Sequence, residues 1–349
     1  MTAGAPGTTA GAPATSAGAP ATSAGAPGTT AGPPLVAVVG PTATGKSDLA
    51  LELALRCGGE VVNADAMQLY RGLDVGTAKL APDARRGVRH RQLDVLEVTE
   101  TASVAAYQRH ARADVEALRA SGRTPVLVGG SGLYVQAVVD ELEFPGTDPE
   151  LRARLEAELA SVGSQALHRR LAERDPAAAA DVLASNGRRI VRALEVIALT
   201  GRPFRARMPA AAVPRYDAVL IGVDRDTAVL DERIAVRVQA MLAAGMVAET
   251  RELLGRGLRG GRTAPRALGY RQVLDALDEA GSDDADLTPE ALERVREETV
   301  RATRRFVRRQ RSWFRRDTRI HWLDGAAPDL LEQALDAVHA VAGRGAGRS

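Results

Sequence analysis

The sequence predicts an α/β fold, a parallel sheet flanked by helices with an all-helical insertion, and three observations carry that expectation. Continuous apolar runs at 35–39, 124–128 and 219–223 have the length and composition of strands buried on both faces. The first run feeds into Gly40-Pro41-Thr42-Ala43-Thr44-Gly45-Lys46-Ser47, with the spacing Gly, four residues, Gly-Lys-Ser, and a helical pattern follows at 48–56. From 141 to 214 strand character disappears and apolar residues recur at helical spacing.

The loop between the first strand and helix is the chemical centre. Backbone N–H groups in such a turn point inward, and the helix that follows adds its positive end. Lys46 supplies an ammonium and Ser47 a hydroxyl for Mg²⁺, so residues 40–47 predict a cradle for a diphosphate or triphosphate. Composition sharpens this: of 46 basic residues only Lys46 and Lys79 are lysine. A chain that otherwise uses arginine marks these two as places where a compact point charge is needed.

Taken in order, residues 3–30 are four seven-residue copies of Ala-Gly-Ala-Pro-Gly-Thr-Thr or Ala-Gly-Ala-Pro-Ala-Thr-Ser. Proline in each copy and the lack of large apolar residues exclude a coiled coil, and 1–34 reads as a disordered low-complexity tail with no part in the chemistry. A P-loop NTPase-like core begins at 35 and its first part runs to 140. Its second strand, 60–63, ends in Ala64-Asp65-Ala66-Met67-Gln68, which places Asp65 beside the crevice that the cradle lines. Ser103 caps a helix that runs to about 121, and the strand at 124–128 ends in Gly129-Gly130-Ser131 where a nucleotide hydrolase carries a metal-holding acid.

The helical insertion, 141–214, opens on the cap Asp148-Pro149-Glu150 with Leu151, Leu155 and Leu159 at helical spacing. The second part of the core, 215–325, resumes with a strand, then a helix at 227–244 with Arg233 and Arg237 one turn apart. A helix from 289 to 316 follows, with eight arginines between 301 and 316 and no acid among them, a composition that suits a polyanion. A last strand is expected at 320–323, and 326–349 reads as a peripheral tail.

Global properties bound the partners. Net charge is +2, so any nucleic-acid surface must be local. The single cysteine, Cys57, excludes a disulfide framework and a multi-cysteine zinc site and fits a cytoplasmic protein. No apolar run approaches the length of a membrane span. His110, His168, His339 and Cys57 read as ordinary structural residues.

With no acid at the end of the 124–128 strand, the residues favour diphosphate as a leaving group over phosphoryl transfer. Lys46, Mg²⁺ and the loop N–H groups stabilise charge developing on a departing diphosphate, while Asp65 takes a proton from a weak nucleophile. A small-molecule kinase, an isopentenyltransferase acting on free adenine nucleotide, and a non-catalytic NTP-dependent RNA switch share parts of this pattern.

The chain resembles the bacterial tRNA isopentenyltransferase family, the tRNA dimethylallyltransferases. The resemblance rests on Gly40 to Ser47, Asn63-Ala64-Asp65-Ala66-Met67-Gln68-Leu69-Tyr70, Asp74-Val75-Gly76-Thr77-Ala78-Lys79 and Val128-Gly129-Gly130-Ser131-Gly132-Leu133-Tyr134. Arg188-Arg189-Ile190-Val191-Arg192, Gly269-Tyr270-Arg271-Gln272 and His321-Trp322-Leu323-Asp324 extend it. It implies transfer of a dimethylallyl group from dimethylallyl diphosphate to N6 of the adenosine just 3′ of the anticodon; a monomer is expected. It also implies Asp65 as the general base, Thr42 and Arg237 as diphosphate holders, and tRNA contacts from Asp65, Ala66, Met67, Gln68, Ser131, Arg188, Arg189, Ile190, Val191 and Arg192. Ser131 stands where the family has threonine, and Arg89 replaces a proline before His90-Arg91.

Overall fold

The computed structural model describes residues 32–204 and 213–346. Most of the expected tail, 1–31, and residues 205–212 of the expected insertion lie outside the described residues.

Six strands form one sheet: β1 (Leu35–Val39), β2 (Glu60–Asn63), β3 (His90–Arg91), β4 (Pro125–Gly129), β5 (Ala218–Asp224) and β6 (His321–Asp324). Their order is β3-β2-β4-β1-β5-β6 and every neighbouring pair is parallel. The central strand β1 lies between β4 and β5, so the loop that leaves it opens among the carboxyl ends of the sheet. β3 is too short to carry a periodic signal. It forms because Arg91 Nε bonds Glu60 Oε2 at 2.7 Å and Arg91 Nη1 bonds Asp114 Oδ1 at 2.9 Å.

Both faces of β1 are covered, which is why its sequence does not alternate. Leu35, Ala37 and Val39 pack with α2 (Val104–Ala120) and α3 (Gly132–Val139), whereas Val36 and Val38 meet α1 (Lys46–Arg56). Each buried Leu or Val contributes roughly 1.5–3 kcal/mol. The second face is closed by the chain's last described helix. Residues after 325, expected to be peripheral, instead bury Ala334, Leu335 and Val338 against the β1–β5 face. Short strands and a short loop hide this packing from a reading by composition.

The insertion contains α4 (Pro149–Arg174), α5 (Pro176–Asp181) and α6 (Gly187–Thr200). Asp148 caps α4 by accepting from the N–H groups of Glu150 at 2.9 Å and Leu151 at 3.0 Å. Gly163, at φ 79° and ψ 163°, breaks α4 into two helical pieces, and α4 packs against α6. Leu155, Leu167, Leu171, Ile190, Val191 and Leu194 make a core separate from the sheet's. Beyond β5 come α7 (Thr227–Ala243), α8 (Met246–Gly255), α9 (Tyr270–Ala280), α10 (Pro289–Phe314) and, after β6, α11 (Leu330–Ala346). No described helix is long and apolar enough to cross a membrane.

Candidate active site

Gly45 sits at φ 100°, a left-handed conformation that lets the loop turn into α1 and that a side chain resists. The loop's carbonyls are taken up within the protein. Thr44 Oγ1 donates to Pro41 O at 3.0 Å, Arg233 Nε to Ala43 O at 2.9 Å and Arg225 Nε to Thr44 O at 3.0 Å. Lys46 Nζ also donates to Pro41 O. Basic groups thus surround the turn, on the side chains of two further elements.

Lys46 is 8% exposed, and burial pushes its ammonium down to about 7. Arg237 pushes the same way, while Asp65 and Asp224 hold the charge on. Burial likewise lowers Arg237, which Asp65 opposes. The Asp65 carboxylate thus lies within electrostatic reach of both Lys46 and Arg237. Arg237 is further tied by Nη2 to Thr77 O at 3.3 Å, and Gln68 Nε2 reaches the same carbonyl at 3.2 Å.

Asp65 is held by its backbone. Its N–H donates to Asn63 Oδ1 at 3.0 Å, and Asn63 Nδ2 returns a bond to Asp65 O at 3.0 Å. One carboxylate oxygen, Oδ1, accepts from Met67 N at 2.9 Å, and Ala66 N donates to Ser131 Oγ at 3.2 Å. Tyr107 and Tyr134, with ring centroids 4.7 Å apart, sit near the carboxylate, and Tyr107 donates to Asn63 O at 2.8 Å. Burial, with Asp65 adding to it, pushes the Tyr134 phenol up to about 12, so it stays a neutral hydroxyl.

Two functional positions escaped the sequence reading. Gln310 on α10, 5% exposed, accepts from Thr42 N at 3.0 Å and donates to Gly130 O at 2.9 Å. A Cβ on Gly130 would stand 2.2 Å from Gln310 Nε2, and one on Gly132 2.2 Å from Trp313 Cδ1, which explains glycine where an acid was sought. The signal was there: Gln310 lies on the same helical stripe as Val307 and Phe314, both buried. The second is Asp224, an acid at the end of β5 beside the loop. Arg311 holds it through Nε at 3.0 Å and Nη2 at 2.8 Å, and Arg315 Nη2 lies 3.2 Å from its other oxygen.

The arginine helix is less free than its local sequence implied, because acids on its own earlier turns, at the end of β5 and on α7 pair with it. Arg301 pairs with Glu297 and Glu298, Arg304 with Asp231, and Arg311 and Arg315 with Asp224. Arg305, Arg308, Arg309 and Arg316 are exposed. On the insertion, Arg188 and Arg189 are exposed at the start of α6, while Ile190 and Val191 are buried in the insertion's core. Arg192 holds Glu195 at 2.7 Å and the carbonyls of Pro145 and Gly146 at 2.6 and 3.0 Å. Arg188 also lines a groove of about 690 Å³ with Arg259, Arg266 and Arg271.

Comparison with known proteins decides the family. A profile described as IPP transferase matches residues 68–317. The chain belongs to the IPP transferase family. Within it, the chain is 59% identical over 308 residues to a tRNA dimethylallyltransferase of Mycobacterium avium, covering 86% of this chain and 98% of that protein. It is 63% identical over 298 residues to a tRNA dimethylallyltransferase of Streptomyces avermitilis, covering 85% of this chain and 92% of that one. Among solved structures of the family, the tRNA isopentenylpyrophosphate transferase of Bacillus halodurans superposes with a TM-score of 0.61 at 38% identity, over 89% of this chain and 96% of the other.

Residues brought together at the carboxyl end of the sheet are thus Lys46 at the start of α1, Asp65 just past β2, Ser131 just past β4 and Arg237 on α7 of an IPP transferase. Ser47 is exposed on the first turn of α1. No group of three or more His, Cys, Asp or Glu able to hold a metal occurs among the described residues.

Proposed function

We propose that the chain transfers the dimethylallyl group of dimethylallyl diphosphate to N6 of adenosine 37, next to the anticodon of tRNA, and releases diphosphate. The observation that carries this reading is the convergence of the phosphate loop, Asp65 and Arg237 at the carboxyl end of the sheet: Gln310 links Thr42 N to Gly130 O, Ser131 Oγ accepts from the N–H of Ala66, and Arg237 shares the Thr77 carbonyl with Gln68. Residues 40–47, with Thr42 and Arg237, hold the diphosphate; the Ser47 hydroxyl would hold a Mg²⁺ ion, which would supply charge to offset that developing on the leaving group. As the bond from C1 to the diphosphate oxygen breaks, its electron pair leaves with diphosphate, N6 bonds to C1, and the N6 proton passes to Asp65.

An adenine stacked in a loop hides N6, so the base is splayed out of the stack to reach Asp65. Met67, Gln68, Ala66 and Ser131 border that entry, and the exposed Arg188, Arg189, Arg305, Arg308 and Arg309 offer charges for flanking phosphates. The protein works as a cytoplasmic monomer in this reading. Phosphoryl transfer is disfavoured because Asp224, the acid at the end of β5, already has its carboxylate engaged by Arg311 and Arg315.

Labelled dimethylallyl diphosphate incubated with tRNA, and separately with AMP, tests the assignment. Label in tRNA in the presence of Mg²⁺ and little in AMP is expected. Preferential labelling of AMP, or phosphate transfer from labelled ATP, contradicts it.

A further inference from the structure

We infer that Gln310 is a positioning residue for the transfer reaction: its buried amide pins the phosphate loop to the end of β4 and so fixes the diphosphate site relative to Asp65. This rests on the functional reading above and assigns it a residue outside the loop and the base.

The geometry is a short chain of bonds across the crevice. Thr42 N–H donates to Gln310 Oε1 at 3.0 Å, and Gln310 Nε2 donates to Gly130 O at 2.9 Å. The residue after Gly130 is Ser131, whose hydroxyl accepts from the N–H of Ala66, next to Asp65. One uncharged side chain therefore ties the loop that holds the leaving group to the strand end that holds the base. Glutamine suits the task because it offers one acceptor and one donor at a fixed separation. A glutamate or an aliphatic residue offers only one of them or neither. With its N–H engaged, Thr42 is set in place and keeps its hydroxyl for the diphosphate.

Gln310 also sits on α10 between the exposed Arg309 and the Asp224-bound Arg311. The helix that offers charge to RNA thus reaches into the phosphate site through its buried face. The glycine at 130 is the complementary half of the device, since any Cβ there would displace the amide.

The test titrates inorganic diphosphate with Mg²⁺ into the full-length wild type, Gln310→Leu, Gln310→Glu, Gln310→Ala, Gly130→Ala and the Gly130→Ala/Gln310→Ala double variant, and measures KM for dimethylallyl diphosphate and Kd for tRNA in each. Expected is a weakening of diphosphate binding of about tenfold or more in Gln310→Leu and Gly130→Ala, with tRNA binding within about twofold of wild type. The double variant is expected to be no worse than Gln310→Ala alone, because removing the amide makes room for the methyl. Gln310→Glu keeps the acceptor for Thr42 and sets two oxygens against each other at Gly130, so it carries the test should Gln310→Leu fail to fold. Diphosphate binding and KM equal to wild type in the folded variants overturn the inference while leaving the proposed function standing. Failure of the wild type to bind diphosphate overturns both.

Discussion

Lys46 and Lys79 are the chain's two lysines, and each sits where a compact ammonium is needed. Lys79 is structural: its ammonium reaches Tyr70 O at 2.8 Å, Asp74 at 2.5 Å and Asp94 at 2.6 Å, which folds the 70–94 segment over the site. Lys46 is the cation of the proposed diphosphate site, and its lowered titration, to about 7, has a measurable consequence. In the folded state the group binds fewer protons than in the unfolded state between about pH 7 and 10.5, so its burial costs stability below that window and the cost fades as pH rises through it. An anion in the cradle restores the charge. Calorimetry at pH 8 in buffers of different ionisation enthalpy is therefore expected to show proton uptake with diphosphate in the wild type that is missing in Lys46→Gln. Equal uptake in both proteins contradicts the assignment. Scarcity of lysine made both positions legible in the sequence. Asp224 and Gln310 were not, because their meaning depends on which strand lies beside β1 and which helix face meets the loop.

At the scale of elements, Gly269-Tyr270-Arg271-Gln272 shows what a motif does when it is not chemistry. Tyr270 is buried at the start of α9, its hydroxyl accepts from Gly76 N at 3.0 Å and donates to Glu249 at 2.5 Å, and Glu249 accepts from Val75 N at 2.9 Å. The motif holds the 74–79 loop, whose Thr77 carbonyl steadies Arg237. Burial, reinforced by Glu249, keeps that phenol protonated far above its ordinary value. Tyr270→Phe is expected to cost about 1–2 kcal/mol in urea unfolding and to raise KM for dimethylallyl diphosphate more than it lowers kcat. An unchanged KM means that the loop does not depend on this anchor. Helix positions were legible from spacing and caps at Asp148 and Ser103, each of which accepts from an N–H in its helix's first turn. The pairing of the α10 arginines was not, since Asp224 and Asp231 lie some 70 or more residues away in sequence.

For the whole molecule, the sheet and its coverage were readable because buried parallel strands are continuous apolar runs, whereas the role of the last helix was not. Its contribution comes from Ala334, Leu335 and Val338 meeting a face that only the folded sheet creates. Leu335→Ala is expected to destabilise the protein by about 2–3 kcal/mol, measured by urea unfolding, and a loss below about 0.5 kcal/mol contradicts that packing role. A net charge of +2 leaves RNA attraction to local arginines. Replacing Arg305, Arg308 and Arg309 together by glutamine is expected to reduce the salt slope of tRNA binding by about 2 without changing the transfer rate at saturating tRNA. An unaltered slope moves the RNA surface elsewhere.

The central claim, that a diphosphate departs into the loop while Asp65 deprotonates the attacking amine, is tested most directly by single-turnover transfer with Asp65→Ala at saturating tRNA and dimethylallyl diphosphate. The expected result is a fall of about 10²-fold or more in the rate of N6 alkylation, with tRNA affinity within about threefold of wild type. A rate within threefold of wild type contradicts the account.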